Sequence, residues 1–188
     1  MPTLTIHDQP LPYIARLPER SADTVTLVVI HCTELPDLAT ARAYGERALY
    51  DSGTGNSGHY YIDRDGTVYR YVPGTRVAHH VRGCNLHSIG IELVNRGRYP
   101  DWFDSNRQLM TEPYTAGQIA ALRALLAQLR TEYPHLREIA GHEDLDTARV
   151  PASDDPGREV PRKLDPGPLF PWAEVLADSG LQRIHAPR

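Results

Sequence analysis

Cysteine is scarce in this chain: Cys32 and Cys84 are the only two among 188 residues. Two thiols in a chain of this size do not make a disulfide framework, and they read as free thiols in a reducing compartment. Long apolar runs are missing too, so no segment can serve as a membrane span. Residues 1–13 hold Asp8 and several prolines but no basic start followed by an apolar stretch, and they do not resemble a signal peptide. A cytoplasmic location is the expectation that follows. Neither sign of charge is in large excess: the net charge is -4, which gives no electrostatic reason to expect nucleic acid or an anionic membrane as partner. Internal repeats, low-complexity tracts and blocks of like charge are absent as well.

What remains is an ordinary globular composition, 40% hydrophobic and 23% charged. The length suffices for one substantial core and not for a second large module, so residues 1–188 are expected to form a single domain. A monomer is the expected state.

The run Thr24-Val25-Thr26-Leu27-Val28-Val29-Ile30-His31 is β-branched and apolar on both parities toward its end, which predicts a central strand covered on both faces. It stops on a histidine. Residues 37–50 are expected to form a helix, and the glycine-rich stretch 52–58 a loop. Two short strands, 59–63 and 67–72, are joined by Arg64-Asp65-Gly66, where Asp-Gly is a hairpin signal. In Ser88-Ile89-Gly90-Ile91-Glu92-Leu93-Val94 the apolar Ile89, Ile91 and Leu93 alternate with Gly90, Glu92 and Val94, the pattern of a strand. Thr115 and Gln118 make a capping-box pair ahead of Ile119, Leu122, Leu125, Leu126 and Leu129, which recur at helical spacing up to Pro134. Residues 138–141 form a short approach to His142, and a last helix is expected over 171–178. Two stretches, 95–113 and 146–162, read as polar surface excursions. Strands interleaved with helices point to an α/β (α+β) domain, a central mixed β-sheet flanked by α-helices.

Three residues stand out as possible metal ligands: His31 at the strand end, His142 after Gly141, and Asp165 before Pro166. A catalytic zinc takes three nitrogen or oxygen ligands and keeps a fourth position open, which two histidines and one carboxylate can supply. Each residue alone reads equally as a hydrogen-bonded structural group. Pro166 biases its neighbours toward extended geometry, so Lys163 and Asp165, two apart, are expected to point to one side. Cys32 follows His31 on the strand and points to the opposite face. Glu92, in the middle of an apolar strand, needs either a salt-bridge partner or a function, because an unpaired buried carboxylate is costly.

Five stretches in order, Val28-Val29-Ile30-His31, Gly58-His59-Tyr60-Tyr61-Ile62-Asp63-Arg64-Asp65-Gly66-Thr67, Ser88-Ile89-Gly90-Ile91-Glu92-Leu93, Gly141-His142-Glu143-Asp144 and Lys163-Leu164-Asp165-Pro166-Gly167-Pro168, resemble the successive signatures of type-2 N-acetylmuramoyl-L-alanine amidases. That family also includes phage amidases and peptidoglycan recognition proteins. The resemblance runs from about 24 to 172, leaving 1–23 and 173–188 as terminal extensions packed on the domain.

The resemblance implies that His31, His142 and Asp165 hold Zn²⁺ in a groove on one face of the sheet, and that Glu92 and Lys163 are the catalytic pair. His79 and Asn85 fall where relatives place substrate-contacting residues. His80 and His87 read as neighbours of the site, and His59 as a supporting or structural residue. Some phage and animal members have a tyrosine where this chain has Gly58, so no catalytic tyrosine carries over. The implied reaction is hydrolysis of the amide between N-acetylmuramic acid, or its anhydro form, and L-alanine, in peptidoglycan or in muropeptide fragments. The rival reading is a non-catalytic peptidoglycan-binding module of the same fold; such modules commonly lack a metal ligand, whereas all three are present here. An unrelated metallopeptidase is disfavoured by the absence of a His-Glu-x-x-His helix. Soluble anhydro-muropeptides are the expected substrate form. Export or delivery to the cell wall without a cleavable signal is the alternative to a cytoplasmic location.

Overall fold

In the computed structural model the described residues are 4–185; residues 1–3 and 186–188, the outermost parts of the two expected extensions, lie outside them. In chain order the elements are β1 (Ile6–Asp8), β2 (Leu27–Cys32), α1 (Leu38–Gly45), β3 (Tyr60–Ile62), β4 (Val68–Arg70), β5 (Ser88–Leu93), α2 (Ala116–Glu132), β6 (Glu138–Gly141), α3 (His142–Leu145), β7 (Arg149–Pro151), β8 (Glu159–Pro161), α4 (Trp172–Leu176) and β9 (Gln182–Arg183). Seven strands make one sheet in the order β1-β4-β3-β5-β2-β6-β9. The β3–β4 pair is antiparallel and the other pairings in this sheet are parallel. This is the expected single domain with a mixed sheet and flanking helices.

Strand parity divides the sheet into a packed face and a working face. Val28 and Ile30 of β2, Ile89, Ile91 and Leu93 of β5, Ile62 of β3 and Ile139 of β6 pack in one cluster with Ile119, Leu122, Leu125, Leu126 and Leu129 of α2. Each such side chain contributes about 1.5–3 kcal/mol by leaving water. Leu27, Val29 and Ala140 face the other way, toward Val81. The N-terminal segment covers part of this second face through Leu11, Tyr13 and Leu17, which pack with Leu35, Ala41, Tyr61 and Tyr71. β2 is therefore buried along its whole length, as its composition predicts.

The Thr115–Gln118 capping box forms in both directions. Gln118 does more than cap: its Nε2 donates to the carbonyls of Val94 (2.8 Å) and Ile62 (3.3 Å), fastening α2 to the ends of β5 and β3.

Several boundaries differ from expectation. α1 stops at Gly45 and does not continue to 50: the Tyr13 hydroxyl donates to the Gly45 carbonyl (2.6 Å), and Leu49 N–H turns to Thr54 O (2.9 Å). The last helix spans five residues, short of the 171–178 expected. The excursion 146–162 contains a hairpin of its own, β7–β8. β1 and β9 at the sheet edges have three and two residues, too few to show a period. The two excursions are also bound to each other. Asp154 accepts from Ser105 N–H (2.6 Å), Ser105 Oγ (2.7 Å) and Asn106 Nδ2 (3.0 Å), and Ser153 N–H donates to Phe103 O (2.8 Å).

Candidate functional site

The working face carries the chemistry-bearing side chains. β2 and β5 run parallel with His31 paired to Glu92, so both residues project from the same side of the sheet. β6 ends at Gly141 and passes His142 into the first turn of α3. Asp165 follows β8 on a loop whose carbonyl accepts from Glu143 N–H (2.9 Å), joining it to α3. Asp144 holds that short helix: it accepts from Gly141 N–H (2.8 Å) and receives both arms of the Arg183 guanidinium (2.9 and 3.0 Å), so β9 braces the turn that presents His142.

His31 Nδ1 and His142 Nδ1 lie 3.0 and 3.2 Å from Asp165 Oδ2. All three residues are at most 3% exposed. Donors each 2.0–2.1 Å from a tetrahedral metal stand about 3.3 Å apart, so the spacing suits such an ion. Asp165 Oδ1 and His142 Nε2 are buried with no hydrogen-bond partner among the described residues. Ligand-type groups crowded together with spare lone pairs fit a cation, and His31, His142 and Asp165 form a cluster able to hold a metal.

A groove of about 490 Å³ opens over this cluster, and Glu92 and Lys163 line it. No ion pair of Glu92 is present among the described residues, and Lys163 acts on it only at longer range. Burial, reinforced by the negative Asp165, pushes its carboxyl well above the usual range; Lys163 pulls the other way. Burial and the neighbouring His142 bring His31 down to about 4, favouring a neutral imidazole. Burial by itself would raise Asp165, but His142 beside it, the strongest of the opposing neighbours, prevails and holds its carboxyl well below the ordinary value. Lys163 is the sole lysine of the chain; the other nineteen Lys/Arg positions are arginines.

His79 and Asn85 also line the groove. The His79 ring sits 5.0 Å from that of Tyr50. Asn85 Oδ1 is engaged by the backbone, accepting from His80 N–H (3.0 Å) and Val81 N–H (2.8 Å). His59 is a structural residue. Its Nδ1 accepts from Gly90 N–H (3.0 Å), so its Nε2 carries the proton and donates to Arg76 O (3.0 Å); burial, then Arg20, brings it down to about 3.

Sequence reasoning missed two features of this groove. One is the buried ion pair of Glu34 and Arg98, with Nε–Oε1 2.7 Å and Nη2–Oε2 2.9 Å. Arg98 also donates to Pro161 O (2.9 Å), so the pair fastens both excursions along one wall. Nothing in the local pattern marks it, because the partners are 64 positions apart and Glu34 sits at φ 48° in a turn. The other is the contact that His80, expected only as a neighbour of the site, makes with His31: its Nδ1 is 3.0 Å from His31 Nε2.

Comparison with known proteins agrees with this geometry. Residues 21–168 match the family model described as N-acetylmuramoyl-L-alanine amidase. The chain is 33% identical over 125 residues to 1,6-anhydro-N-acetylmuramyl-L-alanine amidase AmpD of Enterobacter cloacae, a match covering 62% of this chain and 53% of that one. It thus spans about half the length of the curated relatives it matches. Among solved structures, the N-acetylmuramoyl-L-alanine amidase LysC from Clostridium intestinale superposes with a TM-score of 0.66 at 24% identity, covering 96% of this chain and 100% of that one. The Escherichia coli amidase AmiD, in complex with the substrate anhydro-N-acetylmuramic acid-L-Ala-D-gamma-Glu-L-Lys, superposes with a TM-score of 0.61 at 26% identity, covering 87% of this chain and 60% of that one.

Proposed function

Because the chain belongs to the N-acetylmuramoyl-L-alanine amidase family, we propose that it is a zinc-dependent amidase that hydrolyses the bond between the lactyl group of an N-acetylmuramic acid, in its anhydro form, and L-alanine. The observation that carries this reading is the buried His31–His142–Asp165 cluster with Glu92 in register beside His31 on the adjacent strand. A Zn²⁺ ion held by these three residues supplies Lewis acidity toward the amide carbonyl and lowers the pKa of water.

The rest of the chemistry falls to the chain's own side chains. Glu92 takes a proton from the attacking water, a task suited to a carboxylate whose basicity is raised by burial. Lys163 places a positive charge in the groove, where it stabilises the oxyanion that develops as the carbonyl becomes tetrahedral. Protonated Glu92 then gives its proton to the departing amine of L-alanine, which leaves as the C–N bond breaks. One water is consumed, and a carboxylic acid and an amine are released. His79 on the groove wall is the proposed substrate contact. Asn85 joins it there, acting mainly by holding the loop that carries His79 and His80.

Soluble muropeptide fragments are the proposed substrates. The name of the Enterobacter cloacae relative supports the anhydro form. Among the described residues no helix is long and apolar enough to cross a membrane. The test is metal analysis of the purified protein, combined with mass spectrometry of anhydro-muropeptides and of intact sacculi after incubation. The expected result is about one zinc per chain and cleavage of the soluble fragment at the lactyl amide. Bound but uncut muropeptide would make the protein a recognition module, and cleavage of sacculi alone would overturn the fragment preference.

A further inference from the structure

On the working face of β5 the side chains run Ser88, Gly90, Glu92, and the ring of His80 occupies the space above Gly90. A Cβ at Gly90 would stand 2.7 Å from His80 Cγ and Nδ1, so only glycine admits the imidazole there. The ring is held at both ends. Its Nε2 is 3.2 Å from Ser88 Oγ and its Nδ1 is 3.0 Å from His31 Nε2. Its backbone N–H is pinned by Asn85 Oδ1 (3.0 Å).

The direction of every hydrogen bond in this chain is fixed from its far end. Ser88 Oγ is 2.7 Å from the carbonyl of Cys84. A carbonyl can only accept, so the one hydroxyl proton must lie between these oxygens. Ser88 Oγ is then left to accept from His80 Nε2–H. His80 therefore has a bare Nδ1, which accepts from His31 Nε2–H. His31 in turn is left with a bare Nδ1, and that is the atom 3.0 Å from Asp165 Oδ2. A lone pair facing a carboxylate oxygen with no proton between them is repulsive, and a cation shared by the two relieves it.

We infer that His80 and Ser88 are positioning residues that lock His31 in the tautomer able to ligate a metal through Nδ1, the backbone carbonyl of Cys84 setting the polarity. The inference rests on the zinc reading for its purpose but not for its first observable. A hydrogen bond to the free nitrogen of a ligating histidine fixes the ring and raises its basicity, and losing such a partner typically weakens metal binding 10–100-fold.

The test has two parts. Long-range ¹H–¹⁵N correlation spectra of the metal-free wild-type protein are expected to show His31 and His80 both protonated at Nε2. Protonation of either at Nδ1 would overturn the inference, whether or not the protein binds zinc or cuts muropeptides. Zinc affinity is then measured by chelator competition. His80→Leu keeps bulk without an acceptor and is expected to weaken binding 10–100-fold. His80→Asn, which keeps an oxygen near the position of Nδ1, should stay within about tenfold of wild type. Ser88→Ala should release His80 into a mixture of tautomers with a several-fold loss. Equal losses for His80→Leu and His80→Asn, alongside equal drops in melting temperature, would reduce His80 to a packing residue. If His80→Leu does not fold, the spectra of wild type and Ser88→Ala decide the matter.

Discussion

His31 and Glu92 are register partners on adjacent parallel strands, β2 and β5, and their side chains rise from the same face of the sheet. Two side chains placed in this way cannot drift apart without breaking the central strand pairing of the fold. Glu92→Ala is accordingly expected to lower kcat by about 10²–10⁴-fold while bound zinc, read by metal analysis, is unchanged. Wild-type turnover in that variant would remove Glu92 from the reaction.

Gly58 gives Glu92 its room. A Cβ there would approach Glu92 Cγ to 2.8 Å and the Gly90 carbonyl oxygen to 3.2 Å. Gly58→Ala should push the carboxylate off its position, lowering kcat by tenfold or more and stability by about 1–3 kcal/mol, with little change in zinc affinity. Kinetics together with thermal melts check this. An alanine variant with normal kcat would mean that Glu92 tolerates other positions.

Lys163, the chain's one lysine, is a compact charge that a broad planar guanidinium does not replace. Lys163→Arg should lose about 10²–10³-fold in kcat. Because no other lysine competes, mild acylation is expected to abolish the proposed amidase activity in step with modification of residue 163, followed by peptide mass mapping. Full activity after complete modification of that residue would exclude it from oxyanion stabilisation.

Arg98 and Glu34 are both nearly buried, so removing one leaves the other charged and unpaired. Arg98→Ala is expected to cost about 3–5 kcal/mol in urea unfolding. It should also open the 95–113 segment to proteolysis before the rest of the chain. Uniform proteolysis would show that the pair does not hold this wall.

His59 is buried neutral, with a pKa brought from 6.5 to about 3. Between these values the unfolded chain binds a proton that the folded chain does not, so stability is complete above pH 6.5 and falls as the pH drops toward 3. The slope from this residue is at most roughly 1.4 kcal/mol per pH unit. Urea midpoints measured from pH 7 to 4 should decline less steeply in His59→Gln than in wild type. Parallel slopes would rule out this origin of acid sensitivity.

The elements read correctly from sequence are those whose signal is carried by their own residues. The alternation of Ile89, Ile91 and Leu93 with Gly90 and Glu92 marks β5, and the Thr115–Gln118 box with its leucines marks α2. The three metal-capable residues could be picked out one by one from their types and positions, but the resemblance alone joined them, because His31, His142 and Asp165 meet through the fold and not through spacing. What escaped is nonlocal or too short to have a period. β9 exists because β6 offers it an edge, Arg98 finds Glu34 across a turn, and His80 carries no mark in sequence that separates it from His79 or His87.

The cross-links of Asp154 to Ser105 and Asn106, and of Arg98 to Pro161, have a practical consequence for protein engineering. Residues 95–113 and 146–162, remote in the gene, make up one transplantable unit. A chimera that exchanges only one of them with a relative leaves an aspartate or a row of amides facing nothing. Recombination with a relative has to carry the two segments over together.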